Sequence, residues 1–149
     1  MEALSRGESL QLLASIPLGR VVFTHLALPA VRPVYHLVED DQIVIRAHLG
    51  EAITAITGPE GGTVVAYEAD MIDTDENVGW SVTVVGRARR LPERGEDTRY
   101  RQALRPWAAG VPDDIITIQA DVVDGHRLAR IAGPDPGEIA GPDPEEVVG

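Results

Sequence analysis

Arg46 has the most suggestive chemical setting in the chain. It lies near the end of a β-branched run, Gln42–Ala47 (QIVIRA), and Leu49-Gly50-Glu51 opens a helical signal just after it. A strand arginine beside a helix start can hold a phosphate, because the guanidinium offers a bidentate fork and the exposed backbone N–H groups add donors. The plainer alternative is a surface charge on a strand edge. The four histidines, His25, His36, His48 and His126, fall in no H-E-x-x-H or related ligand spacing. His48 sits at a strand-to-helix junction, a place from which binding loops draw side chains. Asp73, Asp75 and Asn77 match the first oxygen positions of a calcium loop. Val78 then stands where that loop needs glycine and Val84 where it needs glutamate, so no metal site is expected. There is no G-x-S-x-G elbow, P-loop or G-x-G-x-x-G fingerprint, and no cysteine to act as nucleophile or metal ligand.

These residues need a scaffold, and the surrounding pattern predicts a mainly β one. Ser5 and Glu8 have capping-box spacing ahead of Leu10, Leu12 and Leu13, so a helix is expected there, ending before Pro17. Residues 19–24 (GRVVFT), 30–38 (AVRPVYHLV) and 42–47 read as strands. The last two form a hairpin across Glu39-Asp40-Asp41, and Pro33 suggests an edge position or a bulge. A short helix is predicted over residues 51–57, a strand over 62–69, an acidic loop over 70–79 and the longest strand over 80–91. Residues 95–107 read as a helix with Tyr100, Ala103, Leu104 and Trp107 on one face and an Asp97–Arg101 pair. A final hairpin is expected from 114–123 to 127–131 across Asp124-Gly125. About seven strands, most too close in sequence for helical crossovers, imply an antiparallel, partly closed barrel with accessory helices.

The chain has 149 residues, the length of one domain, and a net charge of −11. All 13 of its bases are arginine. The acidic balance opposes nucleic acid and anionic membranes as partners. No apolar run reaches the ~18 residues that a membrane span needs. The start, MEALSRGESL, lacks the apolar core of a secretory signal, so the expected location is the cytoplasm. Residues 133–149 hold five acids, four prolines, four glycines and no base, and the C-terminal end repeats IAGPDP at 131–136 and 139–144. The expected organisation is a domain over 1–132 and a disordered acidic tail over 133–149.

Three stretches in order, LGRVVFT, RPVYHLVEDDQIVIRAHLG and VVAYEADMIDTDENVGWSVTVVGRARRL, resemble the pyridoxamine 5′-phosphate oxidase-like family. GWSVTVVGRA is the most specific piece. P-V-x-[HYF] at residues 33–36 and I-R-A-x-x-G at residues 45–50 agree in order and spacing. The resemblance implies a split β-barrel of six or seven antiparallel strands and an intertwined homodimer with cofactor sites at its interface. It also implies FMN or the deazaflavin coenzyme F420 as cofactor and oxidoreductase chemistry on a small-molecule redox substrate. By position, Pro33, Val34, Tyr35 and His36 resemble the strand whose backbone lies along the flavin ring. Arg46 resembles the strand arginine that contacts the cofactor phosphate, and a strand-end arginine facing a groove is expected to carry little packing. Trp80 and Ser81 resemble the residues that approach from the long strand. His48, Gly50 and Glu51 complete the candidate set, and Tyr35, His36 and His48 are the nearby proton-donor candidates.

One departure stands out. Where the family often reads G-S-K, this chain has Gly50-Glu51-Ala52, which lacks both phosphate-binding side chains and adds a repelling carboxylate. Two outcomes follow. Either the phosphate rests on Arg46 and backbone N–H groups, or the chain is a cofactor-free dimer acting as a binding or interaction module.

Overall fold

The computed structural model describes residues 1–58, 61–93 and 95–129. The boundary expected at residue 132 and the tail expected over 133–149 lie outside the described residues. After the two-residue strand β1 (Glu2–Ala3), helix α1 spans Arg6–Ala14. Its start carries the expected reciprocal cap: the Glu8 N–H donates to Ser5 Oγ at 3.1 Å, and the Ser5 N–H donates to Glu8 Oε1 at 3.2 Å. Leu10 and Leu13 are the buried side of this helix.

The strands that follow are β2 (Leu18–His25), β3 (Leu28–Glu39), β4 (Gln42–Ala47), β5 (Thr63–Asp73), β6 (Val78–Arg90), β7 (Asp114–Gln119) and β8 (Val122–Leu128). Six of them close into an antiparallel barrel in the order β6-β5-β2-β3-β4-β7, sealed by β6–β7 pairing, while β1 and β8 extend the sheet beside β6. This is the split barrel the sequence implied, with its alternating interior of Val21, Phe23, Ile43, Ile45, Tyr67, Val82 and Val84. Leu10 and Leu13 of α1 join that core, as does Ile56 of α2 (Ile53–Thr57), which follows a 3-10 turn at Gly50–Ala52. A second, smaller cluster lies outside the barrel wall, where Tyr100 of α3 (Glu96–Ala103) and Leu104 cover Val44 and Ile115.

Two tight turns explain the compact hairpins. Asp40 and Asp41 both have positive φ (50° and 59°), the geometry that joins β3 to β4 without splaying them, and aspartate tolerates it well. Leu26 and Ala27 turn β2 into β3 in the same way. Pro33 pairs with Arg20 on one side, and β4 joins β3 only from Tyr35 onward, so the proline has the local edge position it needs.

Three expectations are corrected. The acidic loop is shorter than 70–79, because β5 continues to Asp73 and pairs with β6 through Val78. Helix α3 stops at Ala103 and does not reach Trp107. Leu104 is extended, and Arg46 takes the carbonyls of Arg101 and Leu104 that a continuing helix would use. Asp124-Gly125 is no hairpin turn. It lies within β8, which pairs with β1 and β6, whereas β7 pairs with β4 and β6. Gly125 is glycine because a Cβ there would strike Ser9 of α1. The true break is Ala120–Asp121. There β6 changes partner from β8 (through Val85) to β7 (from Ala88), and Gly86 lets the Gln119 backbone pass.

Candidate functional site

The β3–β4 register sets the centre of the site by pairing Tyr35 with Arg46. Strand alternation then sends Val34 and His36 into the barrel and leaves Pro33 and Tyr35 outside. His36 is buried and belongs to the core. Its Nε2 lies 2.8 Å from the Leu13 carbonyl, which can only accept, so Nε2 carries the hydrogen and Nδ1 accepts from the Tyr67 hydroxyl. Burial favours the neutral ring and lowers the His36 pKa, partly offset by the Leu13 carbonyl. The same burial raises the Tyr67 pKa. The pair fastens α1, at its otherwise unsatisfied carbonyl end, to strands β3 and β5.

Arg46 does not stand open to a groove. Its Nε donates to Asp113 Oδ2 at 2.7 Å, and its Nη1 donates to the carbonyls of Arg101 (2.9 Å) and Leu104 (3.0 Å). Arg101 donates from Nη1 to Asp113 Oδ1 at 2.5 Å and from Nε to Asp97 Oδ2 at 3.1 Å, the expected i,i+4 pair. The side chains of Asp113 and Arg46 are only 7% and 16% exposed, so the arginine packs more than its strand-end position suggested. One residue earlier, the Pro112 carbonyl accepts from His48 Nδ1 at 2.5 Å. In the neutral ring this leaves Nε2 of the exposed His48 as an acceptor.

Two clefts flank Tyr35. One, of about 240 Å³, is lined by Arg32, Pro33, Val34, His48 and Trp107. The other, of about 330 Å³, is lined by Pro17, Tyr35, His36, Ala103, Leu104 and Arg105. Trp107 packs its ring against Tyr35, with centroids 6.1 Å apart, and remains 53% exposed. Five of the ten expected site residues therefore line these two clefts, Pro33, Val34, Tyr35, His36 and His48, while Arg46 pairs with Tyr35 but lines neither. Gly50 and Glu51 are exposed at the 3-10 turn, Gly50 with a positive φ of 54°. Ala52, at the position where the family often has lysine, is buried in the core.

Trp80 and Ser81 are not brought to this place within one chain. β6 is three strands from β3 in either direction around the six-stranded barrel. Trp80 instead lines a separate cleft of about 480 Å³ with Met71, Ile72, Asp73, Val78 and Gly79.

Arg32, Trp107 and Asp113 were absent from the expected set. Arg32 is adjacent to the P-V-x-[HYF] stretch, which could have signalled it. The periodicity around Trp107 reads as a helix face, and nothing local to Asp113 announces a partner 67 residues away.

With this geometry in hand, known proteins place the chain in context. A Mycobacterium tuberculosis protein described as uncharacterized is 41% identical over 127 residues, 84% of each chain. The fold is similar to that of a Corynebacterium glutamicum protein described as a candidate pyridoxamine 5′-phosphate oxidase. That likeness has a TM-score of 0.70 and 25% identity, covering 86% of this chain and 98% of that one. It is similar also to a Mycobacterium smegmatis structure described as an FAD-binding protein, with a TM-score of 0.68, 26% identity and the same two coverages. The sequence profile of the pyridoxamine 5′-phosphate oxidase family matches residues 5–133, nearly the whole of the barrel and its helices, and the chain belongs to that family.

Proposed function

We propose that this protein is a homodimeric oxidoreductase that holds a flavin or deazaflavin against β3 and acts on a small-molecule redox substrate. The observation that carries this reading is the cleft beside Tyr35. Its lining combines Pro33 and Val34 of β3 with Arg32, the exposed Trp107 and His48, whose Nδ1 is taken by the Pro112 carbonyl. An aromatic face, backbone groups and a few polar atoms suit a planar heteroaromatic ring. The M. smegmatis relative described as FAD-binding supports the same class of ligand. When bound, such a cofactor supplies the electron-transfer chemistry. The chain's own residues bind it, orient its ring and exclude water. His36, buried and hydrogen-bonded at both nitrogens, braces the strand and is no proton donor here.

The barrel's strand order supports a second copy. Trp80 and Ser81 lie three strands from β3 in their own barrel, so a role for them at a ring on β3 calls for another protomer. Exposed apolar side chains at Val31, Val64, Met71 and Val122 leave surface for that copy to cover.

The test is optical and hydrodynamic. Titration with FMN, FAD, riboflavin and the deazaflavin should quench ligand fluorescence with a Kd below about 10 μM for at least one of them. Light scattering should give about twice the 16.0 kDa chain mass. A colourless dimer that binds none of the four supports the interaction-module reading, which the Glu51-Ala52 departure favours. A monomer at micromolar concentration overturns the shared site.

A further inference from the structure

The region beside the ring cleft that would take a phosphate is already filled by the chain itself. Arg46 from β4 and Arg101 from α3 converge on one carboxylate, and each Asp113 oxygen has its own guanidinium, at 2.7 Å and 2.5 Å. Two arginines from separate elements on the two oxygens of one anion form an arrangement that serves a phosphate as readily as a carboxylate. The segment between α3 and β7 delivers this carboxylate. Its neighbouring residues Pro112 and Asp113 engage His48, at the strand-to-helix junction, and Arg46, which resembles the family's phosphate arginine. Asp97 also holds Arg101, so with Asp113 in place two buried carboxylates match the two guanidiniums, and removing Asp113 leaves Arg46 without an acid; Glu93, 3.8 Å from Arg101, is exposed and screened by solvent. A phosphate dianion arriving there would meet no net positive charge.

We propose that Asp113 is a built-in occupant of the Arg46–Arg101 anion site and sets the ligand preference of the neighbouring cleft, so that a flavin is held by its ring and a terminal phosphate adds little. The preference rests on the flavin reading above; the occupancy of the anion site does not. Asp113 is thus a specificity-determining residue that acts through Arg46. The residues fit the ring of FMN, but they do not fit its phosphate at Arg46 while Asp113 stays in place.

Two measurements separate these parts. The first uses no flavin. The melting temperatures of the full chain and of Asp113→Ala are compared in inorganic phosphate and in chloride of matched ionic strength. Phosphate should raise the variant's melting temperature by at least about 3 °C, since a ligand bound only by the folded state stabilises it, and should leave the natural chain within about 1 °C. Equal responses in the two proteins overturn the occupancy. Asp113→Ser, which also vacates the space between the two guanidiniums, serves the same comparison if the alanine variant does not fold.

The second measurement is the ratio of riboflavin to FMN dissociation constants. The natural chain should give a ratio within about threefold of one. Asp113→Ala should favour FMN by about tenfold or more, the scale of a charge-assisted hydrogen bond. A natural chain that already prefers FMN by tenfold through Arg46 overturns the proposal. If no flavin binds either protein while phosphate still rescues the variant, the anion site stands and the flavin reading falls.

Discussion

The rings of Tyr35 and Trp107 face one another at a centroid distance of 6.1 Å and an angle of 49°, joining the outer wall of β3 to the segment that follows α3. Trp107 keeps 53% of its surface open, so its second side is available to a planar ligand. Trp107→Ala should weaken flavin binding about three- to tenfold, the scale of one aromatic pair, and leave the melting temperature nearly unchanged. Fluorescence titration and a thermal melt of the same preparation check both halves. Unchanged affinity would move the ring site away from this cleft.

Arg46→Ala should destabilise the fold by roughly 2 kcal/mol, because it breaks a largely buried ion pair and releases two carbonyls at the end of α3. Arg46→Lys should recover only part of this, since one ammonium cannot span Asp113 and both carbonyls as a guanidinium does. Urea unfolding of the three proteins measures it, and an unperturbed midpoint for Arg46→Ala would return the residue to the role of an open phosphate ligand.

His36 makes stability depend on pH. Burial lowers its pKa from the ordinary value of 6.5, so the folded chain binds that proton less readily than the unfolded chain. Its contribution is complete above 6.5 and declines as pH falls below it. Between about pH 7.5 and pH 5 the natural protein should therefore lose more stability than His36→Gln. The comparison cancels the opposing relief of acidic self-repulsion, which both proteins share. Parallel stability curves for the two would count against a buried neutral His36.

Gly86→Ala should cost at least about 3 kcal/mol, since its Cβ would meet the Gln119 backbone where β6 changes partners. Gly7→Ala, in α1 with open space around it, should be neutral or slightly stabilising. Thermal melts of the pair provide their own control, and equal behaviour would contradict the close crossing at Gly86.

Local patterns made much of this fold legible. The capping box at Ser5 and Glu8, the two-residue turn at Asp40-Asp41, the strand Gln42–Ala47 and the Asp97–Arg101 pair all join residues within a few positions. Their geometry follows from helical and strand periods that a sequence displays directly. The segment order and the GWSVTVVGRA stretch carried the family, and with it the barrel. The same local logic misread Asp124-Gly125, because turn chemistry and the need for a side-chain-free strand position beside α1 ask for the same residue.

The site was legible only as a set of positions. Sequence alone determined that Pro33 to His36 share a strand, that Arg46 lies opposite Tyr35 once the hairpin forms, and that Glu51-Ala52 replaces the usual phosphate ligands. Tertiary structure alone decided how those side chains are used. Closing the barrel set His36 between Tyr67 and Leu13, laid the Pro112–Asp113 segment across His48 and Arg46, and put Trp80 three strands away from β3. Each pairing joins residues far apart in the chain, and the energy of a buried charge or hydrogen bond depends on which partners packing supplies, a quantity with no local signature.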